Sequence, residues 1–89
     1  ESINMRKVCT VVTSSPTPVR DFIVNELHRS ATIEKAEGAY THDDKWVLTT
    51  VLTRGQAQRL RLYVRGMDDH AFITIVNSSE IVGKGFRSI

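Results

Sequence analysis

The sequence predicts an α+β fold of the ferredoxin-like type, with a four-stranded antiparallel sheet and two helices on one face. Four segments have strand patterns, of which Ala31–Tyr40 is the weakest, and two others repeat apolar residues at helical spacing. They follow one another in the order βαββαβ, and two consecutive split βαβ units form such a sheet. The 89 residues suffice for one core, so residues 1–89 are predicted to form a single domain.

The first half of the pattern begins with a strand. Arg6–Thr13 alternates along its length and is rich in β-branched residues, which predicts the first strand. A Ser-Ser-Pro-Thr-Pro turn follows, in which Thr17 is the expected N-cap and Pro18 the expected first residue of a helix. Apolar residues then recur every three or four positions, which predicts a helix that ends at about Arg29.

The middle of the chain predicts two strands and the turn between them. Ala31–Tyr40 is a weaker strand pattern interrupted at Gly38, where we expect a bulge or a close backbone approach. Thr41–Lys45 is polar and predicts a turn. Trp46–Thr53 is again strongly β-branched and predicts the third strand.

The second helix is predicted from its capping box, Thr53 with Gln56, and from the glycine at Gly66 that ends it. Ala71–Val76 predicts the last strand, which stops at an Asn-Ser-Ser cap. A short turn, Ser78–Val82, and a Gly-Lys-Gly-Phe hook are expected after it. The apolar face of the second helix is predicted to consist of Ala57, Leu60, Val64 and Met67.

Two predicted strands, Trp46–Leu52 and Ala71–Val76, carry bulky apolar residues on both faces. In a lone ferredoxin-like domain the face without helices should be polar at alternate positions. If three residues on that face each bury about 60 Å², the gain is about 4–5 kcal/mol per subunit. Two explanations stay open: scattered exposed apolar side chains, or a surface for self-association or for docking on another part of a longer protein.

Composition and motifs exclude several functions. A formal net charge of +2 without a clustered basic patch does not indicate nucleic-acid binding. Cys9 stands alone in an apolar run, which excludes a disulfide framework and predicts a core residue. The histidines are far apart and no nucleophile motif is present, so no catalytic set, metal site or cofactor is predicted. Without a long apolar run or a signal peptide, the fragment is expected to be soluble, and its start at Glu1 suggests a piece of a longer chain.

Two features are candidates for binding. One flank of the second helix is basic and polar. It is either a solvated face or a binding surface for an anion. Its residues are Arg54, Gln58, Arg61 and Arg65. That anion would be a phosphate-bearing ligand, an acidic protein surface or lipid headgroups. The hook is either a helix cap with an apolar anchor, or a set of backbone amides facing an anion. The candidate ligand-binding residues are therefore Gly38, Tyr40, Arg54, Arg61, Arg65, Gly83, Lys84 and Gly85.

Several of these blocks resemble the C-terminal domain of YitT-type bacterial membrane proteins over nearly the whole chain. The resemblance lies in Lys7–Thr13 with the following Ser-Ser-Pro, in Gly38–Thr41, and in Asp69–Phe86 with its Gly-x-Gly-Phe end. Ala36 and His70 depart from it, because many members have a glycine and a proline at these positions.

The resemblance implies a domain at the cytoplasmic face of the bacterial plasma membrane, following several transmembrane helices. It also implies similarity to PII-like proteins, which pack their sheets into trimers and often bind nucleotides or anions between subunits. The expected partners are therefore further copies of the chain (a trimer through the open sheet face), the transmembrane part of the parent protein, and a nucleotide or other anion. A regulatory ligand-binding module is the first function predicted, and an oligomerisation domain without a ligand is the alternative.

Overall fold

The computed structural model describes residues 6–67, 70–78 and 80. The elements are β1 (Arg6–Thr13), α1 (Pro16–Asp21) with a π-helical continuation (Phe22–Glu26), β2 (Thr32–Glu37), β3 (Asp44–Leu52), α2 (Arg54–Arg65) and β4 (Phe72–Ser78). All strand pairs are antiparallel, in the order β2-β3-β1-β4. The predicted ferredoxin-like arrangement is confirmed.

The strand register assigns every second residue to the face that the helices cover. Val11 of β1 lies opposite Leu48 of β3 and Ile73 of β4, and Cys9 lies opposite Thr50 and Ile75. Cys9 is fully buried, as its apolar surroundings in the sequence predicted. The buried apolar core between sheet and helices consists of Cys9, Val11, Val19, Ile23, Leu27, Leu48, Leu52, Ala57, Leu60 and Val64.

The start of α1 differs from the prediction. The helix begins at Pro16 with Ser15 in the N-cap position, so Thr17 is not the N-cap and Pro18 is not the first helical residue. Proline suits the first helical position because its φ is already helical and it has no N–H to satisfy, and the earlier proline fills that role. The Ser15 N–H instead donates to Thr13 Oγ1 at 2.9 Å, which places the turn immediately after β1.

The first helix also ends earlier than predicted and widens before it ends. The Leu27 N–H donates to the Phe22 carbonyl five residues back, at 3.1 Å, as in a π-helix. His28 follows with φ at 56°, a left-handed conformation that stops the helix before Arg29. The Arg29 guanidinium then turns to β3, where Nε and Nη2 donate to the Val51 carbonyl at 3.1 and 2.8 Å.

The second helix follows the prediction closely. The Gln56 N–H donates to Thr53 Oγ1 at 3.3 Å and the Thr53 N–H donates to Gln56 Oε1 at 2.9 Å, which completes the capping box. Gln56 Nε2 also donates to the Leu27 carbonyl at 3.2 Å and so ties α2 to the end of the first helix. Gly66 is the C-cap. The predicted apolar face is confirmed, since its first three residues are buried and Met67 packs against the core.

The hairpin between β2 and β3 corrects the bounds of both strands. β2 ends at Glu37, so Tyr40 lies in the loop, and β3 begins at Asp44, two residues earlier than predicted. The Gly38 N–H donates to the Asp43 carbonyl and the Gly38 carbonyl accepts from the His42 N–H, both at 2.9 Å. A Cβ at Gly38 would lie 2.9 Å from a loop hydroxyl oxygen. The expected close approach is therefore confirmed, and it forms a tight hairpin loop instead of a bulge.

The last strand is longer than predicted. β4 runs to Ser78, so Asn77 and Ser78 belong to the strand and not to a cap. Asn77 Oδ1 accepts a hydrogen bond from Lys7 Nζ, which holds the end of β4 to β1. Ser78 Oγ donates to the Glu80 carbonyl at 3.1 Å. The remainder of the predicted turn and the hook Gly83–Phe86 lie outside the described residues.

Candidate functional site

The face of the sheet opposite the helices, here called the open sheet face, is largely apolar. The register places Val47, Val12 and Phe72 side by side in one row across β3, β1 and β4. A second row of three branched side chains crosses the same strands nearer the start of β1. The apolar residues of the open sheet face are Val8, Val12, Val47, Val51, Phe72 and Val76.

A row of threonines separates the two apolar rows. Each strand contributes one residue to it: Thr32, Thr49, Thr10 and Thr74. A hydroxyl both donates and accepts hydrogen bonds, so this row can pair across strands or with a surface that covers it. Sequence reasoning missed the row because it depends on the register between strands.

The apolar side chains of the open sheet face are most exposed on β4. Phe72 is 56% exposed and Val76 is 53% exposed, while the valines on β1 and β3 are half-buried between neighbouring strands. The prediction that β3 and β4 carry apolar residues on both faces is confirmed, and β1 adds Val8 and Val12. These six side chains form one continuous apolar surface across β3, β1 and β4.

The hairpin loop at the β2 edge is acidic. The stretch from Glu37 to Asp44 contains three carboxylates and no lysine or arginine. Glu37 Oε2 lies 2.6 Å from His42 Nδ1, and Asp44 lies 3.8 Å from Lys35 Nζ. Tyr40, at the tip of this loop, is 94% exposed.

The opposite edge is basic. Helix α2 contains four arginines and no carboxylate, as its sequence shows. Arg59 lies 4.0 Å from Glu26, and Arg61 Nη2 donates to Gln58 Oε1 at 2.9 Å. In the part of the chain that the structure describes, no carboxylate lies within 4.0 Å of Arg54, Arg61 or Arg65.

Among the described residues, the predicted ligand-binding candidates lie at two opposite edges of the sheet. Gly38 and Tyr40 belong to the hairpin at the β2 edge, whereas α2 packs over β1 and β4, near the opposite edge of the sheet. Three strand spacings, about 14 Å, separate the two edges. The remaining candidates, Gly83, Lys84 and Gly85, lie outside the described residues.

The outer face of the helices has shallow hollows around an aromatic pair. The rings of Phe22 and Tyr63 stack with centroids 4.4 Å apart, and the Arg59 guanidinium lies 5.8 Å from the Phe22 ring. Open hollows of about 580 and 470 Å³ flank Tyr63. A third, of about 220 Å³, lies beside Trp46 at the β2 edge. Neither Arg61 nor the other arginines of α2 line any of the three.

Two described side chains have shifted pKa values. Burial raises the pKa of the Cys9 thiol to about 11, against the opposing charge of Lys7, so the thiol stays protonated at neutral pH. Burial, and then the charge of Arg6, lower the pKa of Arg29. Within residues 6–67, 70–78 and 80, no three histidine, cysteine or acidic side chains are grouped to hold a metal ion.

The fold is that of PII-like proteins. A putative PII-like signaling protein from Thermus thermophilus superposes with a TM-score of 0.69 at 20% identity, over 83% of this chain and 86% of that one. A crystal structure described as an uncharacterized protein conserved in bacteria, DUF2179, from Eubacterium ventriosum superposes with a TM-score of 0.63 at 21% identity. It covers 80% of this chain and 97% of that one.

The chain belongs to the bacterial family described as "Uncharacterized protein conserved in bacteria (DUF2179)", whose model matches residues 29–83. It is 29% identical to the UPF0750 membrane protein YvjA of Bacillus subtilis (strain 168) over 84 residues, which are 94% of this chain and 30% of that protein. It is also 29% identical to the UPF0750 membrane protein YitT of the same organism over 80 residues, 90% of this chain and 29% of that protein. The resemblance to YitT-type membrane proteins is confirmed.

The chain therefore spans about a third of the length of these membrane-protein relatives. None of the helices in the described part of the chain combines the length and apolar character needed to cross a bilayer.

Proposed function

We propose that this chain is a self-associating regulatory module, without catalytic activity, of a bacterial membrane protein. It assembles through the open sheet face, with a trimer as the favoured form. It lies at the cytoplasmic face of the plasma membrane and passes the state of the assembly to the transmembrane part of its parent protein.

The observation that carries the proposal is the open sheet face. Its six apolar side chains cross three adjacent strands, and the two on β4 are more than half exposed. Burying them against another copy removes apolar surface from water at about 25 cal/mol per Å². The threonine hydroxyls of one copy can form hydrogen bonds with those of another copy across such an interface. They therefore need not be buried without hydrogen-bond partners.

A threefold arrangement suits this surface. Three copies of one sheet that pack face inward would leave their helices outside. Similarity to PII-like proteins at 20% identity shows the fold alone, so the trimer rests on the apolar face and on the expectation from the family resemblance.

A second candidate activity, binding of a nucleotide or other anion, is favoured by the arginines of α2 that have no carboxylate nearby. Such a site would lie between subunits. Glu80 stands at the far end of the sheet from Gly38, about nine residue steps or roughly 30 Å away along the strands. The predicted hook Gly83–Phe86 follows Glu80 in the sequence and lies outside the described residues. We propose that a site shared with Gly38 and Tyr40 is formed by two copies of the chain.

The test combines light scattering with a thermal-shift panel of nucleotides and inorganic anions. We expect an oligomer whose melting temperature rises with protein concentration, and a ligand, where one binds, should raise it further by mass action. A monomer at high micromolar concentration would contradict self-association. Absence of any shift at millimolar concentrations of phosphate-bearing compounds would contradict ligand binding and leave the oligomerisation domain.

The binding residues have their own test. Because a charge-assisted contact contributes about 1.5–3 kcal/mol, Lys84→Ala or Arg61→Ala should weaken nucleotide binding roughly ten- to a hundredfold. Arg20→Ala is the matched control, since Arg20 lies on α1 and pairs with Asp21 at 3.3 Å.

A further inference from the structure

The two edges of the sheet carry opposite charge. One edge consists of β4, which has no charged residue, under α2, which has four arginines and no carboxylate. The other edge ends in the hairpin loop, with three carboxylates between Glu37 and Asp44 and no lysine or arginine. Edge strands expose unpaired backbone groups, and charged residues on them discourage contact with other strands. β2 has such protection in Glu34 and Lys35, whereas β4 has none.

The basic and acidic groups lie at the same end of the molecule. The hairpin adjoins the end of β1, because Trp46 near the start of β3 pairs with Thr13. Helix α2 starts after Leu52 at the other end of the sheet and finishes near Phe72, which pairs with Val12. Its last arginines therefore lie at about the height of the hairpin, on the opposite edge.

These two surfaces cannot meet within one subunit, because the width of the sheet separates them. They can meet between two copies related by rotation, where the hairpin edge of one faces the α2 edge of the next. A contact between two different surfaces of one chain is heterologous, and it closes into a ring when the rotation permits. In a ring with its rotation axis along the strands, each subunit has the same position along that axis. The hairpin of one subunit and the last arginines of the next then lie at the same end of the ring, as this contact requires.

We propose that in the homo-oligomer the hairpin of each subunit docks against α2 and the β4 edge of its neighbour, with Asp43 and Glu37 facing Arg61 and Arg65. The proposal rests on the self-association proposed above and adds the partner of the arginines. Among the carboxylates of the hairpin, Asp43 is the first candidate for this contact, because its carboxylate has no hydrogen bond or ion pair in the described part of the chain. Arg61 and Arg65 likewise have no carboxylate within 4.0 Å there.

The tip of the hairpin supports a docking role. Tyr40 is 94% exposed in the single chain, and tyrosine is a residue type enriched in protein interfaces. Its side chain is therefore available for contact with a neighbouring subunit. The loop that presents it is braced by the two hydrogen bonds of Gly38 and by the contact between His42 and Glu37. A rigid loop loses little conformational entropy when it docks.

The test is a charge reversal with rescue, in the 89-residue chain. Arg61→Glu/Arg65→Glu and Asp43→Lys should each raise the protein concentration at half-dissociation by about tenfold or more, as truncation of close interface charge pairs does. Combined in one chain, they should restore most of the lost assembly. Arg20→Glu, a reversal of one charge on α1, is the control and should leave assembly unchanged. Circular dichroism confirms that each variant is folded, and Asp43→Asn replaces Asp43→Lys if the latter is not.

The outcomes separate this inference from the proposed function. A monomeric unmodified chain would refute self-association itself. An oligomer that ignores both reversals would refute only the edge contact. If the arginine variant instead loses binding of inorganic phosphate, or of vesicles containing anionic lipid, and the hairpin variant assembles normally, the arginines serve a ligand or a membrane and the edge contact is wrong.

Discussion

Replacing Phe72 on the open sheet face by serine tests the assembly surface at its most exposed apolar residue. Full burial of a phenylalanine side chain stabilises by up to about 3 kcal/mol, and no less than about 1.5 kcal/mol. Because 56% of Phe72 is still exposed, covering it contributes about 0.8–1.7 kcal/mol per subunit. Over three subunits this amounts to about 2.5–5 kcal/mol of trimer stability.

The monomer–trimer midpoint concentration varies with the square root of the dissociation constant, so Phe72→Ser should raise it about eight- to seventyfold. Sedimentation equilibrium over a range of concentrations measures that midpoint. Leu62→Ser is the matched control, since Leu62 is 54% exposed on the outer face of α2. Equal effects of the two substitutions, or none from Phe72→Ser, would refute the assignment of the open sheet face as the contact surface.

Further substitutions test the fold. Gly55→Ala should stabilise the fold by about 0.5–1 kcal/mol in urea unfolding, because nothing lies within 4 Å of an added Cβ and alanine reduces the entropy of the unfolded chain. Gly38→Ala should destabilise the fold, because its Cβ would lie 2.9 Å from a loop hydroxyl oxygen. Thr53→Ala should cost about 1 kcal/mol by removing the capping box, whereas Thr17→Ala, inside α1, should not. The unfolding free energy should fall as pH rises from 9 to about 11, because the buried Cys9 thiol stays protonated while the unfolded one ionises, and Cys9→Ala should lose this part of the slope.

The sequence predicted those parts of the fold that local signals determine. The capping box of Thr53 and Gln56 needs only residues three apart, and the alternation of Arg6–Thr13 predicted the bounds of β1 without error. The π-helical turn was missed because the residues from Phe22 to Glu26 keep ordinary helical spacing. The end of this turn is held by a tertiary contact, the hydrogen bond that Gln56 Nε2 donates to the Leu27 carbonyl.

The candidate site was predictable only in part, because it depends on which strands become neighbours. The apolar excess on β3 and β4 is visible in each strand alone. The threonine row needs the register of all four strands, as the pairing of Thr10 with Thr49 and Thr74 shows. The separation of Gly38 from Arg61 follows from the strand order, which places β2 and β4 at opposite edges.

Self-association of the unmodified chain can be measured as its mass in solution, by light scattering coupled to size exclusion. The chain has a mass of 10.0 kDa. At micromolar concentration we expect a particle of three times that mass, which dissociates on dilution and when Phe72 is replaced by serine. A particle of 10.0 kDa that persists to high micromolar concentration would contradict it.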